Sequence, residues 1–158
     1  MVNAQQWLEI QEEYNTKEKR KQIKELNINS EELWNKNLLK RNEYLEGKLD
    51  LKDFSNLEKL NCSNNELTII DLSRNEKLTK IDCSNNFLNN LSFSPSISSI
   101  LTELYLFNNN LNQRGLNLSY FSQFKNLKKF WIGNHDKNYG IYVSLYTNFN
   151  SMFKNSIK

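Results

Sequence analysis

The chain is 158 residues long, 38% hydrophobic and 25% charged, a composition that fits one globular domain and excludes a collagen-like or charge-driven disordered chain. Four glycines, one proline and one histidine leave little material for a glycine-rich phosphate cradle or a histidine-based catalytic centre. The net charge of +3 is too small to argue for nucleic acid, and its excess falls in residues 127–158, which carry 5 basic residues against 1 acidic.

From the N-terminus, Asn3-Ala4-Gln5-Gln6 has the spacing of a capping box and Ala4, Trp7 and Leu8 share one helical face. This predicts a short helix over residues 4–14 that covers the open N-terminal edge of the strands beyond it. An acid at Glu9 interrupts the start, and no stretch approaches the roughly 18 apolar residues of a membrane span, so neither a signal peptide nor a transmembrane helix is expected. Lys17, Lys19, Arg20 and Lys21, answered by Glu12, Glu13, Glu18 and Glu25, read as a solvated charged face.

Ile23-Lys-Glu-Leu26-Asn-Ile28 alternates as a strand. An insertion within residues 31–44 is predicted to hold a helix: Ser30 caps it, Glu31 and Glu32 lie in its first turn, Lys40 and Arg41 in its last, and Trp34 and Leu38 dock it at i and i+4. At about ten residues such a helix is marginal alone and depends on burying Trp34.

The segment Leu57-Glu-Lys-Leu60-Asn-Cys62-Ser-Asn-Asn65-Glu-Leu67 then recurs as Leu78-Thr-Lys-Ile81-Asp-Cys83-Ser-Asn-Asn86-Phe-Leu88 and as Leu101-Thr-Glu-Leu104-Tyr-Leu106-Phe-Asn-Asn109-Asn-Leu111. Weaker copies begin at Ile23 and at Leu127-Lys-Lys-Phe130-Trp-Ile132, where His135 stands for the asparagine and Lys137 for the last leucine. Further pairs, Leu49/Leu51, Ile70/Leu72, Leu91/Phe93 and Leu116/Leu118, precede each next unit. Alternation sends Leu60 and Cys62 inward and Asn61 outward. Asn65, Asn86 and Asn109 fall where the chain leaves the strand, and an amide can satisfy the unpaired backbone there as both donor and acceptor. Part of the excess of 27 asparagines and 23 leucines is thereby explained; Asn64, Asn85 and Asn108 are read as exposed turn residues.

These units, matching L-x-x-L-x-L-x-x-N-x-L with Cys tolerated at the sixth position, resemble a short, fungal-type leucine-rich repeat array over about residues 23–135. The resemblance implies an α/β solenoid: a horseshoe with a parallel β-sheet on its concave face, an N-terminal cap and linker in residues 1–22, and a C-terminal segment in residues 136–158. In that last segment Ile141, Leu145 and Phe149 have helical spacing, which allows a capping helix; an exposed apolar patch and the ragged end of a longer array are the alternatives. Cys62 and Cys83 have no metal-ligand pattern around them and read as reduced, buried thiols of a cytosolic protein, with a disulfide between them as the lesser alternative. The sequons at Asn61, Asn90 and Asn117 are expected to be unmodified.

The resemblance also implies a non-catalytic protein-interaction module of the cytoplasm with an unidentified protein partner, no small-molecule substrate, no cofactor, no metal and no nucleic acid. The other reading is a regulatory or adaptor fragment of a longer signalling protein, associated with a kinase or a ubiquitin ligase and lacking its effector domain. As an enzyme the sequence offers only His135-Asp136 with Tyr139, an arrangement that more often lies solvated on a surface. The fifth-position row runs Asn27, Asn61, Asp82, Tyr105, Trp131 and the seventh-position row Asn29, Ser63, Ser84, Phe107, Gly133. Tyr105, Phe107 and Trp131, with Lys129, Glu103 and Asp82 beside them, are the candidate partner-binding residues, because aromatic anchors dominate interface energetics. Capping of the stack is the competing role for these aromatics. Five strands of three or four residues give a concave face of about 200 to 250 Å², against ~800 Å² per partner in a stable interface.

Overall fold

The computed structural model describes the backbone of residues 2–111, 118–134 and 139–144. It is an α/β fold with few helices, in which the strands as far as Tyr105 alternate between two sheets and the last two extend the second sheet. The short sheet has the order β1-β3-β5-β7, from Val2–Asn3, Leu45–Asp50, Glu66–Leu72 and Asn90–Phe93, all parallel. The long sheet has the order β10-β9-β8-β6-β4-β2, from Tyr139–Ser144, Lys129–Asn134, Glu103–Tyr105, Lys80–Asp82, Lys59–Asn61 and Glu25–Asn27. Its neighbours are parallel except for β9 and β10, which pair antiparallel from Asn134↔Tyr139 to Lys129↔Ser144.

Register follows the sequence motif. Leu26, Leu60, Ile81, Leu104 and Phe130 stand opposite one another across the long sheet, as do Leu49, Ile70 and Leu91 across the short one. All eight belong to one buried hydrophobic cluster, so each strand buries an inward row against its neighbours' rows. A strand of three residues has no stable existence alone; its stability comes from these rows, at roughly 1.5 to 3 kcal/mol for each large aliphatic side chain fully buried.

The pairing continues beyond the strand ends. Asn64, Asn85 and Asn108 take left-handed backbone with φ of 57°, 52° and 53°, a conformation that asparagine tolerates better than most residues. Their amides form a ladder: Asn85 Nδ2 donates to Asn64 Oδ1 and Asn108 Nδ2 to Asn85 Oδ1, each at 2.7 Å. They are half-buried rather than exposed, a correction that local composition could not supply because the partner of each lies one motif away.

Beside them, Asn65, Asn86 and Asn109 are buried and form the inner ladder. Asn86 Oδ1 accepts from Leu67 N at 2.9 Å, and its Nδ2 donates to the carbonyls of Cys62, Cys83 and Ser84 at 3.0, 3.3 and 3.1 Å. Asn65 serves Leu45 N together with the carbonyls of Ile28, Cys62 and Ser63. Asn109 repeats the scheme with Leu88 N and the carbonyls of Cys83, Leu106 and Phe107.

Helix α1 spans Ala4–Ile10, shorter than the 4–14 expected, because the chain turns extended at Gln11. Asn3 caps it as expected, accepting from Gln6 N at 3.0 Å, and Ala4, Trp7 and Leu8 are buried. It packs on β3, while β1 closes the edge of the short sheet. Helix α2, Lys17–Gln22, carries the basic run. Its Arg20 is not solvated: it is buried, donates to Tyr14 O at 2.5 Å and pairs with Asp53 at 3.2 Å.

In the insertion, α3 covers only Ser30–Asn35, and its cap is Asn29 rather than Ser30. Asn29 Oδ1 accepts from Glu31 N and Glu32 N at 2.9 and 3.4 Å, and its Nδ2 donates to Ser63 Oγ at 2.7 Å. Replacing Asn29 by Ala is expected to lower stability by about 1 to 2 kcal/mol, since it removes both a cap and a tie to the neighbouring turn; urea unfolding checks this, with Ser30→Ala as the milder comparison. Leu38 does not dock and is 45% exposed, whereas Leu39 is buried. Trp34 is held by its Nε1 donating to Glu43 O at 2.7 Å and by an edge contact with Tyr44.

The C-terminal segment starts as strand β10 across residues 139–144, not as a helix. Leu145 and Phe149, which would have continued the helical spacing, lie outside the described residues, as do Leu116, Asn117, His135, Asp136 and Lys137.

Candidate functional site

The six candidate residues come from three neighbouring strands of the long sheet. Asp82 ends β6, Glu103 and Tyr105 bracket β8 with Phe107 two residues on, and Lys129 and Trp131 belong to β9. Strand register sets Asp82 opposite Tyr105 and Tyr105 opposite Trp131, with Lys80, Glu103 and Lys129 in the row beside them. Because side chains alternate along a strand, these residues share the face opposite the buried row Ile81, Leu104, Phe130.

The rings of Phe107 and Trp131 lie 4.5 Å apart at 31°, a close ring pair of the kind that contributes roughly 0.5 to 1.5 kcal/mol beyond its buried area. Tyr105 Oη donates to Glu103 Oε2 at 3.2 Å. Burial, then the adjacent Glu103 carboxylate, push the Tyr105 phenol above its ordinary value, so it stays protonated at neutral pH. Tyr105, Phe107 and Trp131 are all half-buried.

Glu103 is the hub of the charged row: Lys129 Nζ lies 3.0 Å from Oε1 and Lys80 Nζ 3.1 Å from Oε2. Lys80 is a member of the site that was not foreseen from the sequence; its third-position place before Asp82 was the available signal. Burial raises the Glu103 carboxyl, but hydrogen bonds and charge from Lys129 and Lys80 outweigh it and hold the group below its ordinary value. A carboxyl depressed on folding stabilises the native state above its unfolded pKa and loses that contribution as pH falls through the folded one. Glu103→Gln is therefore expected to be less stable than the wild type at neutral pH, and the gap should close as the solution is acidified below the carboxylate range. Denaturant midpoints of both proteins across pH test this.

Toward β4 and β2 the same face is polar and internally satisfied. Asp82 Oδ1 accepts from Ser84 N and Oγ at 3.0 and 2.6 Å, and Asn61 Oδ1 accepts from Ser63 N and Oγ at 3.1 and 2.7 Å. Groups already bonded to their own turn gain little from a partner.

No group of three or more His, Cys, Asp or Glu arranged to hold a metal occurs among the described residues. No helix among them is long and apolar enough to cross a membrane. No protein-family model matches the chain, and no curated protein and no solved structure matches it.

Proposed function

We propose that the chain is a leucine-rich-repeat solenoid that acts as a non-catalytic interaction module of the cytoplasm, binding a protein partner through the outer face of its long sheet. The observation that carries this reading is the side-by-side placement of Tyr105, Phe107 and Trp131 on adjoining strands, rimmed by Lys80, Glu103 and Lys129. Rigid aromatic surface costs little entropy to bind with, and a charged rim supplies register. The solenoid reading is supported by motif-for-motif register in both sheets and by the two asparagine ladders. The small face implies that the partner also engages the turns after the strands.

The test begins with capture of a partner from native lysate on the full chain, followed by affinity measurements with the purified pair. Trp131→Ala and Tyr105→Ala should each weaken binding tenfold or more, about 1.4 kcal/mol, while circular dichroism stays native and the denaturation midpoint falls only by the lost ring and burial contacts, leaving the chain folded. Unfolding of both variants would assign the aromatics to capping the stack instead.

A further inference from the structure

The next inward row runs Ile28, Cys62, Cys83 and Leu106, each one step past its strand's end, and Ile132 within β9, all buried. Hydrophobes fill it except at two neighbouring places, where the sulfur atoms of Cys62 and Cys83 approach to 3.2 Å. Both thiols are free and completely buried. Cysteine as a small hydrophobe would explain either position singly. Two of them in contact can also react with each other.

Leu60 and Ile81, two residues earlier, are paired partners on the parallel strands β4 and β6, so the two cysteine Cα atoms stand about one strand spacing, ~4.8 Å, apart, inside the ~4.4 to 6.8 Å range that a disulfide requires. Drawing the sulfurs together to ~2.05 Å needs rotation of the two side chains and a slight approach of the strands. Parallel neighbours hold Cβ atoms nearer ~4.8 Å than the ~3.8 Å a relaxed disulfide prefers, so the bond would be strained and correspondingly easy to reduce. A reversible bond, rather than a permanent staple, is what this geometry suits.

We propose that Cys62 and Cys83 form a reversible redox lock between β4 and β6, closed by thiol–disulfide exchange with a small-molecule disulfide of the glutathione type. In the first step one cysteine thiolate attacks the small disulfide, giving a mixed disulfide and one small thiolate. In the second the other cysteine thiolate displaces the second small thiol and the Cys62–Cys83 bond forms. Overall the two cysteines lose two electrons and two protons, and one small disulfide becomes two small thiols. Since both sulfurs are shielded, exchange proceeds through local opening of the turns at Ser63 and Ser84. Closing the bond tightens the sheet under Asn61 and Asp82, whose side chains lie on the outer face.

The experiment uses the full folded chain, incubated with glutathione disulfide in native buffer, acid-quenched, and titrated for thiols after denaturation. The expected result is a fall from two free thiols to none, an intact mass lower by two hydrogens with no glutathione adduct, and a non-reduced tryptic digest in which the peptide carrying Cys62 is linked to that carrying Cys83. Circular dichroism should remain native, and reduced glutathione in excess should restore both thiols. Cys83→Ala should keep Cys62 out of any intrachain bond while folding normally; if that variant does not fold, the linked peptide from the wild-type chain still decides. Four results would overturn the proposal: two thiols persisting under conditions that oxidise the denatured chain, stable glutathione adducts without the intrachain bond, disulfide-linked dimers, or oxidation only with loss of native structure.

Discussion

Replacing Asn86 with alanine is expected to cost about 2 to 4 kcal/mol, a large share of the stability of an ordinary domain. The amide is buried and makes four hydrogen bonds, reaching Leu67 N on one side and three carbonyls on the other. Alanine leaves Leu67 N without its acceptor in a place water cannot readily enter, at about 1 to 3 kcal/mol, and takes one donor from each of the carbonyls of Cys62, Cys83 and Ser84, which keep Asn65 Nδ2, Asn109 Nδ2 and Asn64 N respectively. Asn86→Asp is the sharper variant. A carboxylate keeps the acceptor for Leu67 N but cannot donate to the carbonyls of Cys62, Cys83 and Ser84, and it adds a buried charge. It should therefore be at least as destabilising as alanine at neutral pH and recover partly in acid, when the protonated carboxyl can donate once. Urea midpoints at two pH values measure both effects; an Asn86→Ala cost below about 1 kcal/mol would mean that water or rearrangement replaces the ladder.

Phe130→Ala is expected to cost about 3 to 5 kcal/mol by a different route, the lost burial of a large ring together with the cavity it leaves. Phe130 is fully buried, opposite Leu104 in the strand register, with its ring 4.9 Å from that of Phe121. Phe121 in turn belongs to an aromatic group with Phe124, Tyr120 and Phe93. Phe130 on β9 is thus packed among aromatics, where the same inward row uses leucine and isoleucine on the strands before it. Phe130→Leu should recover much of the loss, because it restores most of the apolar volume. Thermal or urea unfolding of the three proteins gives the comparison; equal stability of Phe130→Ala and wild type would show that β9 adds nothing to the cooperative core.

The inward rows and the inner asparagine ladder were legible because alternation and an eleven-residue motif encode them locally. Leu60, Ile81 and Leu104, with Asn65, Asn86 and Asn109, occupy the roles their spacing implies. The short sheet was not foreseen as a sheet. Leu49/Leu51, Ile70/Leu72 and Leu91/Phe93 announce a period of two, but over so few residues that a strand and an extended return segment look alike until a neighbour pairs with it. Electrostatic signals misled at α3: Lys40 and Arg41 suit a helix end, yet the chain leaves the helix after Asn35 and takes left-handed backbone at Asn37 with φ of 57°. Trp34 finds its partners in Glu43 and Tyr44 without a longer helix. In β10 the helical spacing of Ile141 competed with a strand-forming run of Tyr, Ile and Val, and the open edge of β9 decides in favour of pairing. At the candidate site, alternation placed Asp82, Tyr105 and Trp131 in one row, whereas the Phe107–Trp131 ring contact and the role of Lys80 required the third dimension.

The central claim is that binding resides at the aromatic end of the long sheet and not along its polar half. The most direct measurement is the affinity of the purified partner for two double variants: Phe107→Ala with Trp131→Ala, and Asn61→Ala with Ser63→Ala, each first checked for native circular dichroism. The expected result is at least a tenfold loss for the aromatic pair, about 1.4 kcal/mol or more, and a change within about twofold for the polar pair, whose groups are already bonded to each other. Equal losses in both, or a loss confined to the polar pair, would contradict the account.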